Sequence, residues 1–170
     1  MSVSPFARLL TITTLAAMAL GAAGCGFTPL YATPGVSPSL SAVSVVVPEG
    51  RVGYLLREDL DDALAHDKAV TPLWRLDLTP IQTRDPRGLR PDNVAERYEL
   101  GLDVTYALTA IATGEVVRRG EVHSRVSYDA ADAPFAGIAA RQDSQDRAAA
   151  DAARRIQIEL AAWAARKGAP

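Results

Sequence analysis

Few side chains in this 170-residue chain are of the types that carry out catalysis or bind metals. The two histidines, His66 and His123, fall on different predicted elements, and no cysteine or acid stands at a spacing that would complete a zinc site. Asp61 and Asp62 are adjacent on a predicted helix, where neighbouring side chains do not face each other, so they indicate a solvated face. After residue 24 the sequence has no serine-hydrolase, zinc-protease or phosphate-loop motif. We therefore predict no enzymatic activity, no metal and no cofactor.

The only cysteine, Cys25, stands where an apolar run ends. Cysteines of exported proteins normally occur in pairs, so a single one needs another explanation. The segment Ala22–Cys25 resembles a bacterial lipobox, in which small residues precede a cysteine whose nucleophilic thiolate takes up a diacylglyceryl group and becomes the first residue of the mature protein. It departs from that pattern at Ala22, where Leu is preferred. The alternative is ordinary cleavage at an A-x-A-like site, which leaves a free thiol near the mature N-terminus.

The chain divides into three parts. Residues 1–24 are predicted to be a lipoprotein signal peptide, because Arg8 precedes an apolar stretch too short for a membrane span, which needs roughly 20 residues. Residues 25–41 are rich in Pro and are predicted to be an extended, lipid-anchored tether that forms no part of the core. Residues 42–170 suffice for a single domain. The net charge of −2 argues against nucleic-acid binding, which requires clustered basic residues.

Periodicity predicts a β-α-β-β-β-α order. Strands are indicated by apolar runs or strict alternation, and helices by apolar residues at spacings of three and four. Pro80 is expected at a sheet edge or a bulge, because proline cannot donate a ladder hydrogen bond. A helix between the first two strands makes them parallel, and the later strands are joined by turns. The fold class is therefore α+β, with a two-layer arrangement of a mixed four-stranded sheet and two helices on one face. The predicted elements are Ala42–Val47, Arg51–Asp67, Leu73–Thr83, Tyr98–Leu108, Val116–Tyr128 and Ile138–Arg166.

Arginines stand out in the predicted loops. The segment Arg84–Asn93 contains two prolines and a glycine and is predicted to be a flexible loop, and a second pair follows the hairpin turn Ala112–Glu115. Guanidinium groups bind phosphates through bidentate hydrogen bonds, so these arginines are candidate ligands for a phosphorylated partner. The alternative is a role in solubility or in salt bridges to nearby acids. The candidates are Arg84, Arg87, Arg90, Arg118 and Arg119.

Several segments together resemble the LPS-assembly lipoprotein family LptE, as it occurs in alphaproteobacteria. CGFTPLYA is similar to the start of the mature family members, and GRVGYLLREDLDDAL is similar to their first helix. RPDNVAERYELGLDVTYAL with TGEVVRRG resembles the central hairpin, and DSQDRAAADAARRIQIELAAW resembles the C-terminal helix. The resemblance covers nearly all of the chain after residue 24, and its strength lies in the ordered combination of segments.

This resemblance implies a function. Family members are outer-membrane lipoproteins that face the periplasm, plug the barrel of the translocon protein LptD, help it assemble and contact lipopolysaccharide; no catalytic residue or cofactor is attributed to them. For this chain it implies lipidation at Cys25. Because lipid A carries phosphates, the candidate arginines are expected ligands for it by their chemistry, and the resemblance assigns this role to no individual arginine. Gly26, instead of the Asp that retains enterobacterial lipoproteins in the inner membrane, suggests transit to the outer membrane.

Two other classes of function remain open. One is an auxiliary lipoprotein of an ABC-type transport system, which would contact a periplasmic or inner-membrane partner. The other is a periplasmic ligand carrier or enzyme without an anchor, which predicts a mature N-terminal peptide that carries no lipid.

Overall fold

A computed structural model describes residues 36–89, 95–130 and 133–167. The predicted β-α-β-β-β-α order is present and is preceded by one additional short helix. The elements in chain order are α1 (Val36–Ser41), β1 (Val43–Val46), α2 (Arg51–Ala63), β2 (Trp74–Leu89), β3 (Ala95–Ala110), β4 (Val116–Asp129) and α3 (Pro134–Lys167). No helix among these residues is both long and apolar enough to span a membrane.

The four strands form one mixed sheet in the order β1-β2-β3-β4. β1 is parallel to β2, whereas β2–β3 and β3–β4 are antiparallel. α2 and α3 pack against each other and against the sheet, and their apolar residues share one core with the strands. The predicted α+β fold class is therefore confirmed.

Alternation along β3 places one set of side chains in the core. Leu100, Leu102, Val104, Tyr106 and Leu108 are buried, as the period-2 pattern predicts. The predicted apolar stripe of α3 is buried as well, and it is built largely from alanines, which let the helix lie close to its neighbours. Its buried members are Ala148, Ala149, Ala152, Ala153, Ile156, Leu160, Ala161, Trp163 and Ala164.

Pro80 lies at a sheet edge, as predicted. β1 pairs only with Trp74–Asp77, so beyond Asp77 the outer side of β2 has no strand partner among the described residues. The Trp74 N–H points to β1, where it donates to Ala42 O at 3.2 Å, and every second residue of a strand directs its backbone nitrogen to the same side. Pro80 and Pro86 are such residues, and neither removes a hydrogen bond between β2 and β3.

The predicted tether is wrong at its C-terminal end. Val36–Ser41 forms α1, and Ser39 and Leu40 are buried, with Leu40 inside the core cluster. Pro38 is compatible with this helix because the first four backbone N–H groups of a helix have no intrahelical partner. Burial of Leu40 favours the helix over an extended chain. The remainder of the predicted tether, including Cys25, lies outside the described residues.

The predicted loop Arg84–Asn93 is also wrong over its first part. β2 continues to Leu89, and β3 begins at Ala95, so Arg84 and Arg87 are strand residues paired with Leu100 and Arg97. Pro86, one of the two prolines that indicated a loop, is tolerated because its nitrogen faces the free edge of β2, and Pro91 lies outside the described residues. Arg90 lies outside the described residues.

Candidate functional site

One face of the sheet carries no packed helix or strand among the described residues. The side chains on it come from alternate positions of β2, β3 and β4 and are mostly charged or polar. We call this surface the open face. Its ion pairs are Arg75–Asp77 (2.9 Å), Arg87–Glu99 (2.8 Å), Arg97–Asp129 (2.9 Å) and Arg125–Asp103 (2.7 Å). The sheet therefore presents a charged surface of both signs.

Asp103 is the best-connected group at the centre of the open face. Its carboxylate accepts from Arg125 Nη1 at 2.7 Å and lies 2.8 Å from His123 Nδ1. The hydrogen bond from Arg125, followed by that from His123, lowers the pKa of Asp103 below its usual value. The two histidines lie apart, His123 on β4 and His66 in the segment after α2, although the predicted helix Arg51–Asp67 included His66. The described ranges contain no group of three or more potential metal ligands.

At the end of the sheet formed by the β2–β3 hairpin, Arg84 lies on an aromatic pair. Its guanidinium carbon is 3.9 Å from the centre of the Tyr98 ring, and Tyr98 stacks on Tyr128 with the ring centres 5.6 Å apart. This contact holds the cation by its flat face and leaves its edge exposed to solvent. Arg84 can therefore donate to an anion while it stays positioned.

Arg87 and Arg97 face each other directly across β2 and β3 on the open face. Like charges at such positions repel, and the repulsion is offset because Arg87 pairs with Glu99 and Arg97 pairs with Asp129. The hydrogen bond that Arg87 donates to Glu99 raises the pKa of Arg87. Both arginines line a shallow pocket of about 420 Å³, together with Gly88, Glu96 and Asp129. Arg97 was not among the predicted residues. Its position opposite Arg87 depends on the β2–β3 register, and Arg87 was predicted to lie in a loop.

Arg118 has a different environment from the other predicted arginines. It lies on the helix side of the sheet and donates to Glu159 Oε2 of α3 at 3.0 Å, and the buried Tyr106 hydroxyl donates to the same oxygen. Burial and the neighbouring Glu159 raise the pKa of Tyr106 to about 12, so the hydroxyl remains protonated. Arg118 thus joins the sheet to α3.

The predicted arginines do not form one site. Arg84 pairs with Leu100 and Arg118 with Leu108, eight residues further along β3, which corresponds to about 26 Å. Arg119 lies exposed near Arg118, opposite Ala107. At the hairpin end, Arg84 lies on the helix side of the sheet, whereas Arg87 and Arg97 lie together on the open face; Arg118 and Arg119 lie at the other end.

Comparison with known proteins agrees with this architecture. The sequence model of LptE, a lipopolysaccharide-assembly family, matches residues 39–160. A crystal structure of a candidate lipoprotein from Caulobacter crescentus CB15 is similar at 50% identity and a TM-score of 0.69, over 78% of this chain and 97% of that chain. No curated protein matches significantly.

Two more distant structures share the fold. Rare lipoprotein B from Shewanella oneidensis is 19% identical with a TM-score of 0.58, over 74% of this chain and 98% of that chain. Lipoprotein B from Nitrosomonas europaea is 18% identical with a TM-score of 0.55, over 71% of this chain and 82% of that chain. The chain forms a two-layer domain with a charged open face, and a lipoprotein family model matches most of its length. It is therefore a lipopolysaccharide-assembly lipoprotein. The chain belongs to the LptE family.

Proposed function

We propose that this protein is a non-enzymatic subunit of the lipopolysaccharide translocon in the outer membrane, where it binds an LptD-type barrel, plugs it and helps it assemble, and contacts lipopolysaccharide. The observation that carries the proposal is the family match over residues 39–160, which spans the domain core. The partner, the plugging role and the lipopolysaccharide contact are the proposed steps beyond family membership.

The anchor in this proposal is Cys25. Residues 1–24 act as the signal peptide, and the cysteine carries a diacylglyceryl group and an amide-linked acyl chain such as palmitate. Each buried methylene contributes about 0.8 kcal/mol, so two or three chains make anchoring effectively permanent. The domain then faces the periplasmic side of the outer membrane.

The open face is the proposed contact with the barrel. The interior of a large outer-membrane barrel is polar, so a plug needs a polar surface and not an apolar patch. The ion pairs of the open face are exposed, and their guanidinium and carboxylate groups retain donors and acceptors for a partner. Arg119 adds a cation that has no ion pair within the described part of the chain.

The proposed lipopolysaccharide contact lies at the hairpin end. Arg84 on the helix side and Arg87 and Arg97 on the open face supply guanidinium groups for phosphates from both faces of the hairpin end, and Arg90 stands in the connecting sequence of the same hairpin. Exposed apolar side chains at the start of α3, Phe135 and Ile138, lie on the same end of the molecule and suit acyl chains. Arg118 and Arg119 are left out of this contact because they lie at the opposite end of the sheet.

The first test is a tagged pull-down from detergent-solubilised outer membrane, with every co-purifying chain identified by mass. We expect a large β-barrel in stoichiometric amount that survives stringent washing. Recovery of the protein alone would contradict the plug role. Recovery with an inner-membrane ATPase complex would favour the auxiliary lipoprotein of a transport system.

The second test separates the lipopolysaccharide contact from the barrel contact. We expect the variant R84A/R87A/R97A to retain the barrel but to retain at least about tenfold less lipopolysaccharide, because one lost charge-assisted hydrogen bond of about 1.5 kcal/mol already corresponds to that factor. The control R57A/R154A/R166A changes the net charge equally at exposed positions on the helices, outside both the hairpin end and the open face. Equal lipopolysaccharide retention by both variants would remove the hairpin arginines from this role.

A further inference from the structure

The end of the sheet opposite the hairpin arginines Arg84, Arg87 and Arg97 carries exposed apolar side chains. Val70 is 40% exposed, Leu73 51%, Ile111 52% and Val116 37%. We call these four residues the apolar end. Neither the charged open face nor the proposed lipopolysaccharide contact uses them.

Backbone contacts show that these residues belong to one surface. The Ile111 N–H donates to Leu73 O at 3.0 Å, which joins the β3–β4 turn to the segment before β2. Val70 lies in the preceding turn, where its N–H donates to Asp67 O at 3.0 Å. Val116 begins β4 opposite Thr109, next to the same turn. The four side chains thus surround one end of the sheet.

The N-terminal part of the domain reaches this same end. α1 leads into β1, and Ala42 O accepts from Leu73 N at 2.9 Å. Cys25 precedes Val36 by eleven residues, which span at most about 40 Å when fully extended. The hairpin end lies about 50 Å from the apolar end, which is the length of the 16-residue β3. A lipid on Cys25 therefore tethers the domain to the membrane at its apolar end, and the hairpin end can lie up to about 50 Å farther away.

We propose that the apolar end rests on the lipid surface that anchors the chain, with its side chains at the boundary between headgroups and acyl chains. This inference rests on the lipidation of Cys25 in the proposed function. Four partly exposed side chains are too few for a stable protein interface, which buries at least about 1,000 Å². A weak apolar contact suffices for a tethered domain, because the covalent anchor makes surface binding an intramolecular event.

The native tryptophans report on this contact. Trp74 follows Leu73 directly, and its ring centre is 5.2 Å from that of Trp163, so both indoles lie near the apolar end. The lipid-modified full chain is reconstituted into phosphatidylethanolamine–phosphatidylglycerol vesicles that contain phosphatidylcholine with a shallow doxyl spin label. We expect quenching of the tryptophan fluorescence, and we expect this quenching to be lost in L73D/I111D, whose new charges disfavour insertion.

The matched control is Y54D/I158D, which places two charges at exposed apolar positions on the helices, outside the apolar end and outside the proposed lipopolysaccharide contact. It should be quenched like the wild type. L73S/I111S, which adds no charge, should show reduced quenching, and unfolding midpoints establish that each variant is folded. Quenching that is absent from the wild type, or unchanged in L73D/I111D, would overturn the membrane contact while the mass of the N-terminal peptide still showed a lipid. An N-terminal peptide without lipid would overturn the contact and the proposed anchor together.

Discussion

The variant Gly120→Val is expected to lower the free energy of unfolding by about 3 kcal/mol, at the upper end of the usual cost of overpacking a core. Gly120 lies opposite Tyr106 in the β3–β4 pair, and the Tyr106 ring occupies the space where a Cβ would lie. A Cβ built on Gly120 would be 2.5 Å from both Cζ and the hydroxyl oxygen of Tyr106. Tyr106 is only 3% exposed and donates to Glu159, so the ring cannot move without loss of that hydrogen bond.

Equilibrium urea unfolding of the mature chain, followed by circular dichroism, measures this loss. Gly101→Ala is the control, because a Cβ there meets the ends of the exposed side chains of Thr83 and Arg125, which can rotate away. We expect a cost below about 1 kcal/mol for the control. In a Y106L background, Gly120→Val should cost much less than in the wild type. Equal costs in both backgrounds would show that the Tyr106 ring is not the obstacle.

The fold could be predicted where burial on one face imposes a clear period. In β3 the buried large residues from Leu100 to Leu108 alternate with small or polar ones, so both the strand and its inner face follow from the sequence. The apolar stripe of α3 identified that helix for the same reason. Burial also explains why α1 was not predicted. Leu40 of α1 lies in the core, and the prolines and hydroxyl residues of this segment give no local signal for that contact.

The extension of β2 could not be predicted from local signals. Pro80, Pro86 and Gly88 resemble loop residues, and their acceptance in a strand depends on which edge of the sheet remains free. That edge is free because β1 has only four residues, which is a property of the whole sheet. The period-2 pattern also fades here because both faces of the hairpin end are exposed.

The arginines show a similar limit. Arg118 and Arg119 follow the hairpin turn and were both predicted to bind a phosphorylated partner. The pairing of β3 with β4 shifts between Leu108 and Thr109, however, and Arg118 faces α3. Its partner Glu159 is 41 residues away in the sequence, so no local pattern links them. Arg97 was not predicted, because only the β2–β3 register places it opposite Arg87. Residue types thus predicted the chemistry available, and the strand register decided where it lies.

The largest loss from removing a side chain is expected for Trp163→Ala, at about 4 kcal/mol. Trp163 is 8% exposed and lies in the last turns of α3, where its ring meets Trp74 of β2 edge to face, with an angle of 89° between the ring planes. Truncation to Ala would leave a cavity between helix and sheet and remove an aromatic pair that contributes about 1 kcal/mol beyond its buried area.

Urea unfolding followed by circular dichroism avoids the loss of the fluorescent ring. Trp163→Phe should cost less than the Ala variant, because it retains an aromatic ring against Trp74. Ile158→Ala is the control on the same helix, since Ile158 is exposed and its truncation should change the free energy of unfolding by no more than about 0.5 kcal/mol. If Trp163→Ala were as mild as this control, the end of α3 would not be held by the tryptophan pair. A large loss would instead show that the pair joins α3 to β2 beside the apolar end, where the domain is proposed to rest on the membrane.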